Sequence, residues 1–273
     1  MDTLITGLSN LLVFAVGACI GSFLNVVIYR VPAGISLLWP PSRCPHCLHR
    51  LRPSENLPVF GWLWLRGRCR HCQSPISPRY PLVEAATGAL FLWVFGTFHL
   101  SGLTLGYWAF FSWLLALSLI DLDTMTLPNS LTQSGLIAGL GFQFALGWLP
   151  AFNGADAAQQ LMTGIGGAVL GVWLLDSITI LGSLALGQAA MGGGDAKLAA
   201  MMGAWLGWKY LLLATFLGCA IGAFVGGGAI ALGWISRRQP IPFGPFLALG
   251  AAISAIWGEA ILSAYLRLML LGT

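Results

Sequence analysis

Apolar runs long enough to cross a bilayer recur along nearly the whole chain, with polar positions gathered between them. A helical crossing takes roughly 20 residues. The first run covers Ser9 to Tyr29, and others follow at 82–99, 103–121, 130–149, 159–183, 195–208, 210–235 and 245–270. The pattern predicts an all-α polytopic membrane protein of about eight transmembrane helices. The 195–208 run is short for a full crossing, so a re-entrant path stays open there. The first run is too long for a signal-peptide core and has no basic region before it, so it is expected to remain as an anchor. One long polar stretch interrupts the pattern. It divides the chain into a first helix (1–29), a polar module (30–80) and a seven-span membrane domain (81–273).

Charge orients these segments. Eight of the thirteen lysines and arginines lie between Arg30 and Arg79, namely Arg30, Arg43, Arg50, Arg52, Arg66, Arg68, Arg70 and Arg79. Such a cluster beside membrane spans marks the cytoplasmic side. Counting eight crossings from there puts both termini outside and returns Arg237-Arg238 to the cytoplasm. Composition removes a soluble alternative: 57% of the 273 residues are hydrophobic and 8% charged, against about 25% charged in soluble domains. Small-xxx-small pairs at Gly135/Gly139, Gly167/Gly171, Gly203/Gly207 and Gly222/Gly226 predict close helix packing.

The polar module carries Cys44-Pro-His-Cys47 and Cys69-Arg-His-Cys72, separated by 21 residues. Two such knuckles close a tetrahedral four-thiolate site, and zinc is the metal that suits it. Disulfides are disfavoured in a reducing compartment, and a metal cross-link would stabilise a module too short to bury much core. The ligands expected are therefore Cys44, Cys47, Cys69 and Cys72, in a zinc-ribbon-like insertion. His46 and His71 lie within the knuckles but are not needed. Arg43, Arg68 and Arg70 would offset the surplus negative charge. Phe60, Trp62 and Trp64 read as a small core or as nucleic-acid contacts; topology alone explains the arginines, so membrane lipid is the expected partner and nucleic acid is not. Cys19 and Cys219, in apolar runs, read as packing residues.

Only nine acids remain to be placed. Asp2, Asp156 and Glu259 fall near outside ends and read as solvated. Glu55 reads as facing water or pairing with an arginine, and Glu84 as a cap or a partner of Arg79. Asp176 lies within a span, where an ionisable group is costly and usually faces protein. Asp121 and Asp123 follow the third span, and Asp195 ends the run Gly192-Gly-Gly-Asp195 before the sixth. The span count puts Asp121 and Asp195 on the same cytoplasmic face. Two close carboxylates do not both ionise easily, so one can hold a proton while the other activates water. No nucleophile–histidine arrangement competes with this. Helix capping suits Asp195 equally well when it is taken alone. Asp123 lies about 200° around the helix from Asp121 and cannot share its site.

Taken together, the motifs resemble those of the type IV prepilin peptidases, which are bifunctional leader peptidase/N-methyltransferases. The stretches that carry the resemblance are Gly21 through Pro32, Ser42 through Cys47, Asn56-Leu-Pro58, Arg66 through Cys72, Ile76 through Pro81 with Val83-Glu84, Asp121 through Pro128, Gly192 through Leu198, Gly203 through Gly207, and Ile241-Pro-Phe-Gly-Pro245. The resemblance implies that Asp121 and Asp195 are a catalytic aspartic pair. It also implies cleavage of type IV prepilin or pseudopilin leaders after a glycine, at the cytoplasmic face of a bacterial inner membrane. Methylation of the new N-terminus from S-adenosylmethionine is implied as well. The chain departs from the family pattern at Asn129, where Asp is frequent, and in the run before Asp195. No strand-anchored glycine fingerprint locates an S-adenosylmethionine site. A membrane-anchored zinc-ribbon scaffold and a cation-coupled transporter using Asp176 are the alternatives.

Overall fold

The computed structural model describes residues 2–149, 152–187, 192–236 and 239–271; Arg237 and Arg238, assigned above to the cytoplasm, lie outside the described residues. The helices are α1 (Asp2–Arg30), α2 (Phe60–Trp64), α3 (Arg79–Phe98), α4 (Gly102–Thr124), α5 (Asn129–Trp148), α6 (Gly154–Leu186), α7 (Gly193–Ala231) and α8 (Gly244–Leu271). Among the described residues there is no named strand. The chain is an all-helical membrane protein. It divides into two compact units, Met1–Ser112 and Trp113–Thr273, and the division falls within α4.

The expected count of eight spans is not reproduced. Among the described residues, six helices are long and apolar enough to cross a membrane: α1, α3, α4, α6, α7 and α8. α5 is 20 residues long but is not among them. The runs expected at 195–208 and 210–235 are the two helical segments of α7, which meet at a kink at Gly207. Gly207 has φ 71° and ψ 172°, a backbone conformation that only glycine adopts without strain. The segment before the break has 14 residues, roughly 21 Å of helix, short of a core roughly 30 Å thick.

In the first unit α1 packs on α3. A Cβ at Gly17 would lie 2.8 Å from the Gly88 Cα, and one at Gly21 would lie 2.7 Å from the Glu84 Cα. These glycines let the two backbones approach closely. Asn25 closes the same end by donating to the Tyr80 carbonyl at 3.1 Å.

In the second unit α7 packs against α5, α6 and α8. The small-residue pairs lie in these seams. Gly167 and Gly203 meet backbone to backbone, and Gly171 faces Ala199. Each four-residue step along α6 is matched by a step back along α7, which carries Leu175 to the level of Asp195. Gly139 accommodates the Trp205 ring, where a Cβ would lie 2.6 Å away, and Gly135 makes room for Met201. Trp205 donates its indole N–H to the Gly135 carbonyl at 2.8 Å, and Gln143 donates to the Trp205 carbonyl at 2.9 Å. These buried bonds fix the rotation of α7 against α5.

Candidate active site

The two aspartates expected to act together both lie in the second unit, and both are buried: Asp121 is 5% exposed and Asp195 8%. Asp121 is near the end of α4, facing inward, while Asp123 two residues on is exposed, as their separation around the helix requires. Asp195 is in the first turn of α7, whose N-cap is Gly192. The segment between α4 and α5 brings the two ends together. Buried Leu127 packs on Gly194, 3.1 Å from where a Cβ would stand, and Lys197 donates to Asn129 Oδ1 at 2.8 Å. The charge on Asp121 reaches Asp195 electrostatically.

The two aspartates are held differently. Asp195 sits in the first turn of its helix, where its amide donates to the Gly192 carbonyl at 3.2 Å. The Gly244 N–H donates to Asp121 Oδ2 at 2.9 Å, and this bond is buried. Gly244 opens α8, and a helix N-terminus favours a negative charge placed there. A Cβ at Gly244 would lie 2.7 Å from Asp121 Oδ2; only glycine permits the approach. Sequence reasoning missed Gly244 as a contributor. Its signal was the Gly244-Pro245 pair, since proline favours the first turn of a helix.

The remaining acids are dispersed. Asp176 is exposed on α6, not turned toward protein as expected. The buried face at that level is taken by Leu175, and α6 with its 33 residues is ~50 Å long, more than a ~30 Å hydrocarbon core requires. Asp156 and Glu259 are exposed. Glu84 is buried and accepts the Val59 amide at 2.7 Å. Glu55 accepts the Arg52 amide at 3.0 Å and faces Arg70 at 3.9 Å.

The four cysteines converge in the first unit. Their sulfurs all lie within 4.8 Å of one another, with Cys44–Cys72 at 3.8 Å and Cys47–Cys69 at 3.9 Å. A tetrahedral zinc with Zn–S near 2.3 Å separates its sulfurs by about 3.8 Å, so the donor set fits. The knuckles are built alike. The Cys44 amide bonds the His49 carbonyl and the Cys69 amide the Ser74 carbonyl; Leu48 and Gln73 return to the Cys44 and Cys69 carbonyls. The Cys47 amide, then the His46 amide and the Ser74 hydroxyl, hold the Cys44 thiol down at about 6 against the opposing effect of burial. The Ser74 hydroxyl, 3.1 Å from Cys72 Sγ, lowers that thiol too. Cys47 is pushed up to about 11: the His49 amide lowers it, but burial and the neighbouring thiols outweigh that. Charge collected this closely calls for a cation. The His49 and His71 rings lie against each other, tilted by 37° with centroids 3.5 Å apart. Of the three aromatics read as a small core or as nucleic-acid contacts, Trp62 turns inward and donates to the Ile76 carbonyl at 3.1 Å, while Phe60 and Trp64 are exposed. Cys19, expected to pack, is also exposed.

The chain is thus an all-helical membrane protein with two buried aspartates in one unit and, in the other, four cysteines placed to hold a metal ion. Residues 15–98 match the Bacterial Peptidase A24 N-terminal domain, and residues 108–227 match the Type IV leader peptidase family. A prepilin leader peptidase/N-methyltransferase of Aeromonas hydrophila is 40% identical over 279 residues, covering 93% of this chain and 93% of that protein. Proteins of the same name from Stutzerimonas stutzeri and Burkholderia pseudomallei are each 38% identical, covering 92% and 93% of this chain and 91% and 87% of theirs. No solved structure matches. The chain belongs to the type IV leader peptidase family and is a membrane peptidase with methyltransferase activity.

Proposed function

We propose that Asp121 and Asp195 are the catalytic pair of an aspartic endopeptidase that removes the leader of type IV prepilins or pseudopilins after a glycine. The observation that supports this is two buried aspartates, on α4 and α7, whose helix ends are joined where Leu127 packs on Gly194, with the Gly244 amide held by Asp121. In the reaction, water adds to the scissile carbonyl carbon. The ionised carboxylate takes the water's proton while the protonated one gives its proton to the carbonyl oxygen. Collapse of the tetrahedral intermediate then breaks the C–N bond, with a proton passing to the departing amine. Proton transfer of this kind contributes roughly 10²–10⁴-fold.

S-adenosylmethionine, when bound, would supply the methyl group for the new amine. Among the described residues there is no strand-to-helix glycine turn of the kind that cradles a nucleotide. Zinc on Cys44, Cys47, Cys69 and Cys72 is structural, since four thiolates leave no open position. The protein acts in a bacterial inner membrane, with both termini outside and the module and aspartates on the cytoplasmic side. Residues 30–80 serve as the zinc module and 81–273 as the peptidase domain. Support for the transporter alternative weakens with Asp176 exposed. Mass spectrometry of a prepilin incubated with the purified protein and S-adenosylmethionine tests the proposal. The expected product starts after the glycine and carries one added methyl group; an intact prepilin, or cleavage elsewhere, contradicts it.

A further inference from the structure

The zinc module presents an apolar, cationic surface that the chemistry above does not use. α2 has an inward face: Trp62 is tucked against the Ile76 carbonyl, and Gly61 lies so close to the Glu55 carbonyl that a Cβ would meet it at 2.5 Å. The other face points away from the protein, with Phe60 67% and Trp64 87% exposed and Leu63 exposed beside them. Next to Trp64 opens a groove of about 520 Å³ whose walls include Leu57, Trp64, Arg66, Arg68 and Arg70. Arg70 faces Glu55, whereas Arg66 and Arg68 have no carboxylate partner among the described residues. Between Arg30 and Arg79 the chain carries eight arginines and one acid.

The depth of this surface is set by a buried bond. Glu84, five residues into α3 from Arg79, holds the Val59 amide at 2.7 Å. Five residues of helix rise ~7.5 Å, about the thickness of the headgroup layer on one side of a bilayer. The entry to α2 is therefore fastened beside the first turns of α3, a helix long and apolar enough to cross a membrane. Aromatic rings prefer the headgroup level, and guanidinium groups there meet lipid phosphates.

We propose that α2 and the adjoining groove are a lipid-docking site. Phe60, Leu63 and Trp64 enter the boundary between headgroups and acyl chains, and Arg66 and Arg68 hold the phosphates of anionic phospholipids. The zinc module thus rests on the membrane surface. A phosphate-bearing nucleic acid would match the same residue types, but the Glu84–Val59 bond fastens them at lipid depth.

Hydrogen exchange of the full-length, zinc-loaded protein tests this. The protein is placed in nanodiscs of phosphatidylcholine alone and of phosphatidylcholine mixed with phosphatidylglycerol. Amides of residues 57–70 should exchange more slowly in the anionic discs, while α5–α8 exchange alike in both. The Arg66→Gln/Arg68→Gln variant, checked for unchanged zinc content, should lose most of that difference. Each arginine near an anionic surface is worth roughly fivefold in the opening equilibrium. Equal exchange in the two lipids overturns the proposal, and wild-type protein alone decides this if the variant fails to fold. Equal protection of the detergent-solubilised protein by inorganic phosphate or a single-stranded oligonucleotide also overturns it, by showing an anion site independent of lipid.

Discussion

Replacing Gly244 with alanine should disable the peptidase without touching either aspartate. The added Cβ would stand 2.7 Å from Asp121 Oδ2 and 3.2 Å from its carboxyl carbon. The atoms cannot coexist at that distance, and both lie on buried elements with little freedom to yield. The carboxylate must swing away, breaking the 2.9 Å bond from the Gly244 amide. A hydrogen bond to a charged group is worth about 1.5–3 kcal/mol, which corresponds to roughly 10- to 150-fold in rate. Displacement of Asp121 from Asp195 adds to that loss. The assay is prepilin cleavage in detergent or liposomes, with kcat and KM separated. A fall in kcat with KM held is the expected result, because the bond acts on the reacting group and not on substrate binding. Gly227→Ala is the control, since a Cβ there meets nothing within 4 Å. Wild-type kcat for Gly244→Ala would refute the reasoning.

Other consequences follow from the packing and the thiolates. Metal analysis of protein purified without chelators should find one zinc per chain, and Cys44→Ser should reduce it sharply; full zinc content in that variant contradicts the four-thiolate site. Stripping the metal with a chelator should speed proteolysis within residues 40–75 while leaving α5–α8 intact, because the cross-link stands in for a core the module lacks. Gly203→Val should lower thermal stability in detergent by about 1–3 kcal/mol or more, since its side chain would enter the Gly167 backbone; an unchanged unfolding temperature would show that the α6–α7 seam is looser than described.

Much of this was legible in residue patterns. Long apolar runs gave helix positions to within a few residues, because a bilayer imposes both length and apolarity. The cysteine knuckles needed only spacing, since ligand geometry is local. The boundary read between 208 and 210 falls at the Gly207 kink, but the positive φ that makes the kink shows only in the fold. Asp176 was misjudged for a related reason: hydropathy reports membrane depth but not which side of a helix packs. The backbone donor at Gly244 carries no side chain, so only the fold could reveal its contact with Asp121. Whether Phe60 and Trp64 pack inward could not be read from aromatic composition, which does not distinguish a buried ring from an exposed one.

The pairing of Asp121 with Asp195 is the central claim, and a double-mutant cycle on prepilin cleavage tests it most directly. Asp121→Asn and Asp195→Asn, each purified with its zinc retained, should separately lose on the order of 10³-fold or more in kcat, and the double variant should lose no more than either alone because the two act as one unit. Near-wild-type cleavage by either single variant, or losses that simply multiply in the double, would contradict it.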